Sequence, residues 1–362
     1  MPPSSPALIS PYVGGKSGAP YELQTPDGRW LSRVCDRPHH YDVIVEPFAG
    51  SGAVTWQHSH GITNAIAADV DPGVQAVWEC WDLPITHNIV DAPKYVIEQM
   101  EVFKGKIARD PQKGFEFLKK KYERYGEVYS ERSDTIRIQM AAVSLTLRRL
   151  VFGGTLRTAK TTKKLNVALS KSSSAKTGSK LDRYLAGWRY VWPDNGIQQL
   201  TFKHDWEGAV QALANSDYEN ALVVIDPPYY SPKEWIEERK DGRKVQSRMT
   251  AAYPGHDPQS VDELAMCIDC LDAVLATGKA GRVVVFNYWS EELDEQIFSL
   301  ATKKHWDWDR NCYTSNLGPL GGMNNAQKFH ARDVEMAWEI GGKRMFQDYD
   351  AVQQCELLEV SQ

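Results

Sequence analysis

The chain has 362 residues, 42% hydrophobic and 25% charged, with a formal net charge of -5. These proportions are those of a globular protein and exclude fibrous and disordered classes, and no apolar run approaches the roughly 20 residues that span a bilayer. The start, MPPSSPALIS, has neither the basic opening nor the apolar core of a secretory signal, and Cys35, Cys80, Cys267, Cys270, Cys312 and Cys355 form no disulfide framework, so a cytoplasmic location is expected.

In chain order, DVIVE (Asp42 to Glu46) is an apolar run ending in a glycine turn and predicts a buried strand, with a helix able to start at Val54. NAIAA (Asn64 to Ala68) reads as a second strand ending at Asp69, and Gly73 to Trp81 as a helix. This β-α-β-α opening predicts an α/β, doubly wound sheet. Residues 92–150 are helical in pattern, whereas 151–180 are rich in Gly, Ser, Thr and Lys, show no core-forming pattern and predict an exposed loop. Further strands are expected at Ala221 to Ile225, at Gly281 to Phe286 with a helix from Ser290, and at Val334 to Ile340 as a late edge strand. Cys267 and Cys270 form a lone CxxC inside a helical pattern and read as two helix-face thiols; no metal is expected. The expected organisation is a discontinuous α/β domain (1–90 and 195–345), a mainly helical insert (91–194) and a tail (346–362).

The negative net charge hides a local reversal. From Ser144 to Arg183 there are ten Lys or Arg and one acid, Asp182, so this window carries +9 and the remainder -14. A basic segment on an acidic body suits a protein that presents one face to phosphates, although a solvated basic loop has the same composition.

Three motifs carry chemistry. EPFAGSG (46–52) follows a strand, and its glycines Gly50 and Gly52 permit positive φ and close backbone approach. It lacks the lysine of a P-loop and is shorter than a dinucleotide fingerprint. Asp69, at the end of the next strand, is placed to accept hydrogen bonds from both hydroxyls of a ribose, or simply to cap the following helix. DPPY (226–229) ends a buried strand, where ligand crevices of open α/β sheets lie. Its acid and a proline carbonyl are two acceptors for an exocyclic amino group, and Tyr229 offers a ring for stacking. YVGGK (12–16) places a glycine pair before a lysine, which suits a carboxylate or a flexible terminal loop.

Together, YVGGK, EPFAGSG, the acid of AIAADVD, the helical insert, DPPY and VVVFNYWSEE occur in the order of the Dam-like DNA adenine-N6 methyltransferases, which this chain resembles over about residues 8 to 340. The resemblance implies the Rossmann-like doubly wound mixed sheet of class I methyltransferases with an inserted, mainly helical DNA-recognition domain. It implies S-adenosylmethionine as methyl donor, giving S-adenosylhomocysteine, held by Tyr12, Gly14, Gly15, Lys16, Glu46, Phe48, Gly50, Gly52, Asp69, Asp205 and Asp226. Asp226, Pro227, Pro228 and Tyr229 would meet the target base. Arg148, Arg149, Phe152, Arg157, Lys160, Lys163, Lys164 and Asn166, in the basic insert and its hairpin-like region, would meet double-stranded DNA. A cognate restriction endonuclease is a candidate partner, and the enzyme is expected to act as a monomer. Departures are Tyr12 in place of the family's tryptophan, a longer charged stretch at Lys233 to Arg248, and a loose match over 151–168. Cytosine-N4 methylation, methylation of RNA or of a protein amide, and a catalytically silent DNA-binding protein are the competing readings. No Pro-Cys pair follows a strand, which excludes C5-cytosine chemistry.

Overall fold

A computed structural model describes residues 41–50, 52, 54–55, 62–86, 92–129, 133–151, 156–158, 164–170, 197–228, 236–238, 244–246, 262–288, 290–314 and 334–341. Nine strands are found among them: β1 (Val43–Glu46), β2 (Asn64–Ala68), β3 (Gln199–Lys203), β4 (Ala221–Ile225), β5 (Ile236–Glu238), β6 (Lys244–Gln246), β7 (Ala280–Tyr288), β8 (Trp308–Thr314) and β9 (Val334–Ile340). The helices are α1 (Pro72–Thr86), α2 (Ala92–Arg109), α3 (Pro111–Glu127), α4 (Asp134–Leu150), α5 (Trp206–Ala214), α6 (Glu263–Ala276) and α7 (Glu291–Lys303).

Seven strands form one mixed sheet in the order β3-β2-β1-β4-β7-β9-β8, and β5 and β6 make a separate antiparallel hairpin. Only β9 runs against its neighbours, pairing antiparallel with both β7 and β8. From β1 the chain winds outward to β2 and β3, then returns to β4 on the other side of β1. The order reverses between β1 and β4, the place where parallel α/β sheets open a crevice at their carboxyl ends.

The apolar runs of the central strands are buried on both faces, as strands covered by helices must be. Val43, Val45, Ile66, Val223, Ile225, Val283 and Val285 face α5, α6 and α7. The alternate residues Ile44, Ala65, Ala67, Leu222, Val224, Val284 and Phe286 face Val74 and Trp78 of α1. The other side of α1 (Ala76, Val77, Cys80) joins a second core built by α2, α3 and α4. Helix α1 therefore touches both the sheet and the helices that lie between β2 and β3 in the chain.

Helix starts follow the sequence closely. Asp110, Ser133, Asp205, Asp262 and Ser290 each accept a hydrogen bond from a first-turn backbone N–H of α3, α4, α5, α6 and α7 respectively. Cys267 and Cys270 are both buried on the inner face of α6, as two helix-face thiols.

Two expectations need correction, and two strands are additions to the reading. Val334 to Ile340 is not an edge strand: it lies between β7 and β8, and β8 is the edge. Two strands, β3 (QLTFK) and β8 (WDRNCYT), carry too much polar character for an apolar run to announce them. The described residues of the 151–180 stretch do contribute to a core. Leu156 and Leu165 are buried among the helices, Thr158 bridges Leu165 and Val151 bridges Leu169 in antiparallel sense, and the Asn166 N–H donates to the Arg157 carbonyl. This is a hairpin-like excursion whose few leucines alternate with polar residues, a pattern that bulk composition conceals.

A buried ion pair fastens the antiparallel side of the sheet. Arg282 of β7 and Glu339 of β9 are 1% and 5% exposed, with Nη2 and Oε2 2.5 Å apart.

Candidate active site

Three acids collect at the carboxyl ends of β1, β2 and β4. Glu46 is the last residue of β1, Asp69 follows β2 and Asp226 follows β4. Because the three strands are adjacent and parallel, strand-end residues far apart in sequence are brought to one rim.

Glu46 is buried and accepts hydrogen bonds from the backbone N–H (2.8 Å) and hydroxyl of Thr55. Burial pushes its carboxyl up to about 7; the Thr55 bonds oppose this and the charge of Asp226 adds to it. The last influence places Asp226 within electrostatic reach of Glu46. Asp226 and Pro228 are half-buried, while Pro227 is buried.

The turn after β1 is built on two left-handed glycines, Gly50 (φ 51°) and Gly52 (φ 67°), a conformation that costs other residues about 1 kcal/mol or more. The Gly50 N–H donates to Asp69 Oδ2 (2.8 Å), and the Gly50 carbonyl accepts from Trp78 Nε1 (3.2 Å). The Asp71 N–H donates to Asp69 Oδ1 (2.8 Å). Asp69 thus ties the glycine turn to the start of α1, and burial followed by the charge of Asp71 lifts its carboxyl to about 7. Each of its oxygens keeps a second lone pair. Gln75 braces the same corner, donating to the Asp69 carbonyl (2.7 Å).

Two neighbours of Asp69 were not singled out from the sequence. Val70 is apolar yet 43% exposed, between two buried acids. Asp71 is 2% exposed and accepts from the Gly73 N–H (2.8 Å), the Tyr122 hydroxyl (2.6 Å) and Arg148 Nη2 (2.5 Å). An acid directly before Pro72 is a helix-start signal, and it could have been found as such. Its interactions with α3 and α4 had no local signature.

Of the other residues named for the cofactor, Phe48 is half-buried and packs against the core on the α5–α6 side of the sheet. Asp205 caps α5 through the Gly208 N–H (2.7 Å), at the end of β3 beside β2. Tyr12, Gly14, Gly15, Lys16 and Tyr229 lie outside the described residues.

The residues named for DNA divide. Arg148 does not face solvent. It is 3% exposed and ion-paired with Asp71, because the inner face of α4 packs on α1, so the expectation that it contacts DNA is corrected. Arg149 is half-buried, whereas Arg157, Lys164 and Asn166 are exposed on the hairpin-like segment, opposite the buried Leu156 and Leu165. Phe152, Lys160 and Lys163 lie outside the described residues.

Among the described residues no group of three or more His, Cys, Asp or Glu is arranged to hold a metal ion, and no helix is long and apolar enough to cross a membrane.

No curated protein matches the chain. The family model of the D12 class N6 adenine-specific DNA methyltransferases matches residues 29–236, more than half of the chain. The matched stretch holds the glycine turn, Asp69, α1 to α4, the hairpin-like segment and Asp226 to Tyr229. It leaves out Tyr12 to Lys16 and ends in β5. The chain therefore belongs to the D12 class of N6 adenine-specific DNA methyltransferases.

Proposed function

We propose that this adenine-N6 DNA methyltransferase takes its methyl group from S-adenosylmethionine bound at the rim formed by β1, β2 and β4, and that it acts on an adenine flipped out of the duplex. The observation that carries the reading is the convergence of Glu46, Asp69 and Asp226 at the point where the strand order reverses. The residues present fit the cofactor. Two positive-φ glycines allow close backbone approach at the turn, Asp69 is a buried acceptor for ribose hydroxyls, and exposed Val70 offers an apolar face for a flat base. Tyr12, Gly14, Gly15, Lys16, Phe48 and Asp205 complete the proposed binding set. Residues 92–170 make up most of the proposed DNA-recognition part.

When bound, the cofactor supplies an electrophilic methyl on a sulfonium. The chain's own residues supply position and charge. The Asp226 carboxylate and the Pro227 carbonyl accept the two N–H bonds of the adenine amino group, which draws its lone pair out of the ring and aims it at the methyl carbon. A bound cofactor would give up the methyl from its sulfonium, and the amino nitrogen that takes it would release one proton to solvent. Pro227 lacks a backbone N–H and fixes φ, which limits the directions the chain can take as it leaves β4. Tyr229 stacks on the flipped base, which cannot react while paired.

Asp69→Ala is expected to weaken S-adenosylmethionine binding by about 1.5–3 kcal/mol, the scale of hydrogen bonds to a charged group. Calorimetric titration checks it. A mutant that melts earlier but binds the cofactor with native affinity would reduce Asp69 to a turn-bracing and capping residue.

DNA affinity is expected to reside in the basic stretch that follows α4, in spite of the negative net charge. Exposed Arg157, Lys164 and Asn166 project from one side of it. Log affinity should fall with log salt by about 0.9 per phosphate contacted. Replacing Lys160, Lys163 and Lys164 together should flatten that slope and leave the methylated sequence unchanged, whereas changing Arg157 should relax sequence preference. An unaltered salt slope in the triple mutant would move the DNA face elsewhere.

A further inference from the structure

The turn that presents Asp69 is held from outside the sheet. Asp71 donates its backbone N–H to Asp69 Oδ1, and the Asp71 carboxylate is the meeting point of three helices. Its Oδ1 accepts from the first turn of α1 (Gly73 N–H, 2.8 Å) and from the Tyr122 hydroxyl of α3 (2.6 Å). Its Oδ2 receives Arg148 Nη2 from the last turn of α4 (2.5 Å). There is no slack in this junction. A Cβ on Gly73 would lie 2.5 Å from Ser144 Oγ of α4 and 2.8 Å from the Tyr122 ring, and Arg148 Nε itself reaches Ser144 Oγ (3.4 Å).

We propose that Arg148 and Tyr122 are positioning residues for methyl transfer: through Asp71 they hold the Asp69 carboxylate where the cofactor ribose meets it, so that α3 and α4 set the cofactor affinity of a site at the rim of the sheet. This rests on the reading of Asp69 as a cofactor acceptor. The physical reason is that two buried acids stand two residues apart, and a buried charge is tolerated only when it is paired and hydrogen-bonded. Arg148 supplies the compensating cation and Tyr122 a neutral donor. Without the guanidinium, the Asp71 charge acts unopposed on Asp69, whose carboxyl already titrates at about 7 through burial and that same charge. Asp69 is then driven toward its protonated form, or the turn shifts to separate the two groups. Either outcome removes an acceptor from the site without touching the cofactor directly. The burial of Tyr122 keeps its hydroxyl protonated, as a donor to Asp71 must be.

The test uses the full chain with Tyr122→Phe, Arg148→Gln, Arg148→Lys and Asp69→Ala, each assayed well below its own melting temperature. Arg148→Gln is expected to raise the Kd and KM for S-adenosylmethionine about tenfold and Tyr122→Phe about threefold. Arg148→Lys, which keeps the cation, should recover part of the loss. In all three, kcat at saturating cofactor and the KM for DNA should stay within about twofold of the native values, which a general loosening of the fold would not spare. Should Arg148→Gln fail to fold, Tyr122→Phe decides, since it keeps the ring and removes only the donor. Native cofactor affinity in folded Tyr122→Phe and Arg148→Lys, with Asp69→Ala weakened, overturns the inference and leaves the site reading standing. So does an equal rise in both KM values. Native affinity in Asp69→Ala itself would overturn the site reading, and this inference with it.

Discussion

Asp226→Ala is expected to fold, bind DNA with nearly native affinity and transfer methyl at least about 10²–10³-fold more slowly than the native enzyme, the usual scale for losing one preorganised electrostatic partner of a reacting group. The side chain is half-buried beyond the end of β4, so its removal leaves no large cavity and does not break a strand. The residue's value lies in direction. β4 is clamped between β1 and β7 in parallel register, and the two following prolines leave the chain little freedom after Ile225. The acid thereby stands at the rim it shares with Glu46. Losing Asp226 should also ease the upward pressure on the Glu46 carboxyl, which owes part of its shift to that charge. Single-turnover methyl incorporation into duplex DNA, with a thermal melt as control, checks the expectation. Native turnover in a purified, folded mutant would remove Asp226 from its role as amino-group acceptor.

Glu339→Ala is expected to cost about 3–5 kcal/mol of stability, because it strands the Arg282 guanidinium in the sheet with its counter-charge gone. Arg282 belongs to β7, whose other neighbour is β4, so a disturbance here lies one strand from Asp226. The double replacement Arg282→Met with Glu339→Leu should regain most of the loss, since apolar residues of similar volume need no charge compensation. Urea titration of the single and double mutants separates the two effects. A cost below about 1 kcal/mol for Glu339→Ala would mean that the guanidinium finds water or another acceptor when its partner is removed.

The reading of 42–46, 64–68, 221–225 and 281–286 as strands rested on short apolar runs ended by proline, an acid or asparagine. Such runs are legible because a parallel strand covered on both faces has nowhere to place a polar side chain. The acids at their ends, Glu46, Asp69 and Asp226, were legible for the complementary reason: a polar residue that interrupts an apolar strand marks the point where the chain leaves the core. The helix start at Ser290 was readable too, because capping is a local bond between a side chain and an N–H three residues on.

What the sequence left open depends on contacts between distant residues. Arg148 and Arg149 look alike on paper, as two cations at the end of an amphipathic helix beside a basic stretch. Only the packing of α4 on α1 decides that Arg148 turns inward to Asp71, 77 positions earlier in the chain, whereas Arg149 stays half-buried. The place of β9 inside the sheet required a second, polar strand, β8, to cover its edge, and WDRNCYT does not advertise a strand because its polar residues leave no apolar run to read. Leu156 and Leu165 sit in a segment whose composition is that of a loop, and they are buried because antiparallel pairing presents both to the helical core built by α2, α3 and α4. Strand ends, caps and the acids of the candidate site are set by near neighbours and by burial along a single run, and these the chain declares locally; which of two adjacent cations is spent on the fold is decided by how α1, α3 and α4 close around one buried carboxylate.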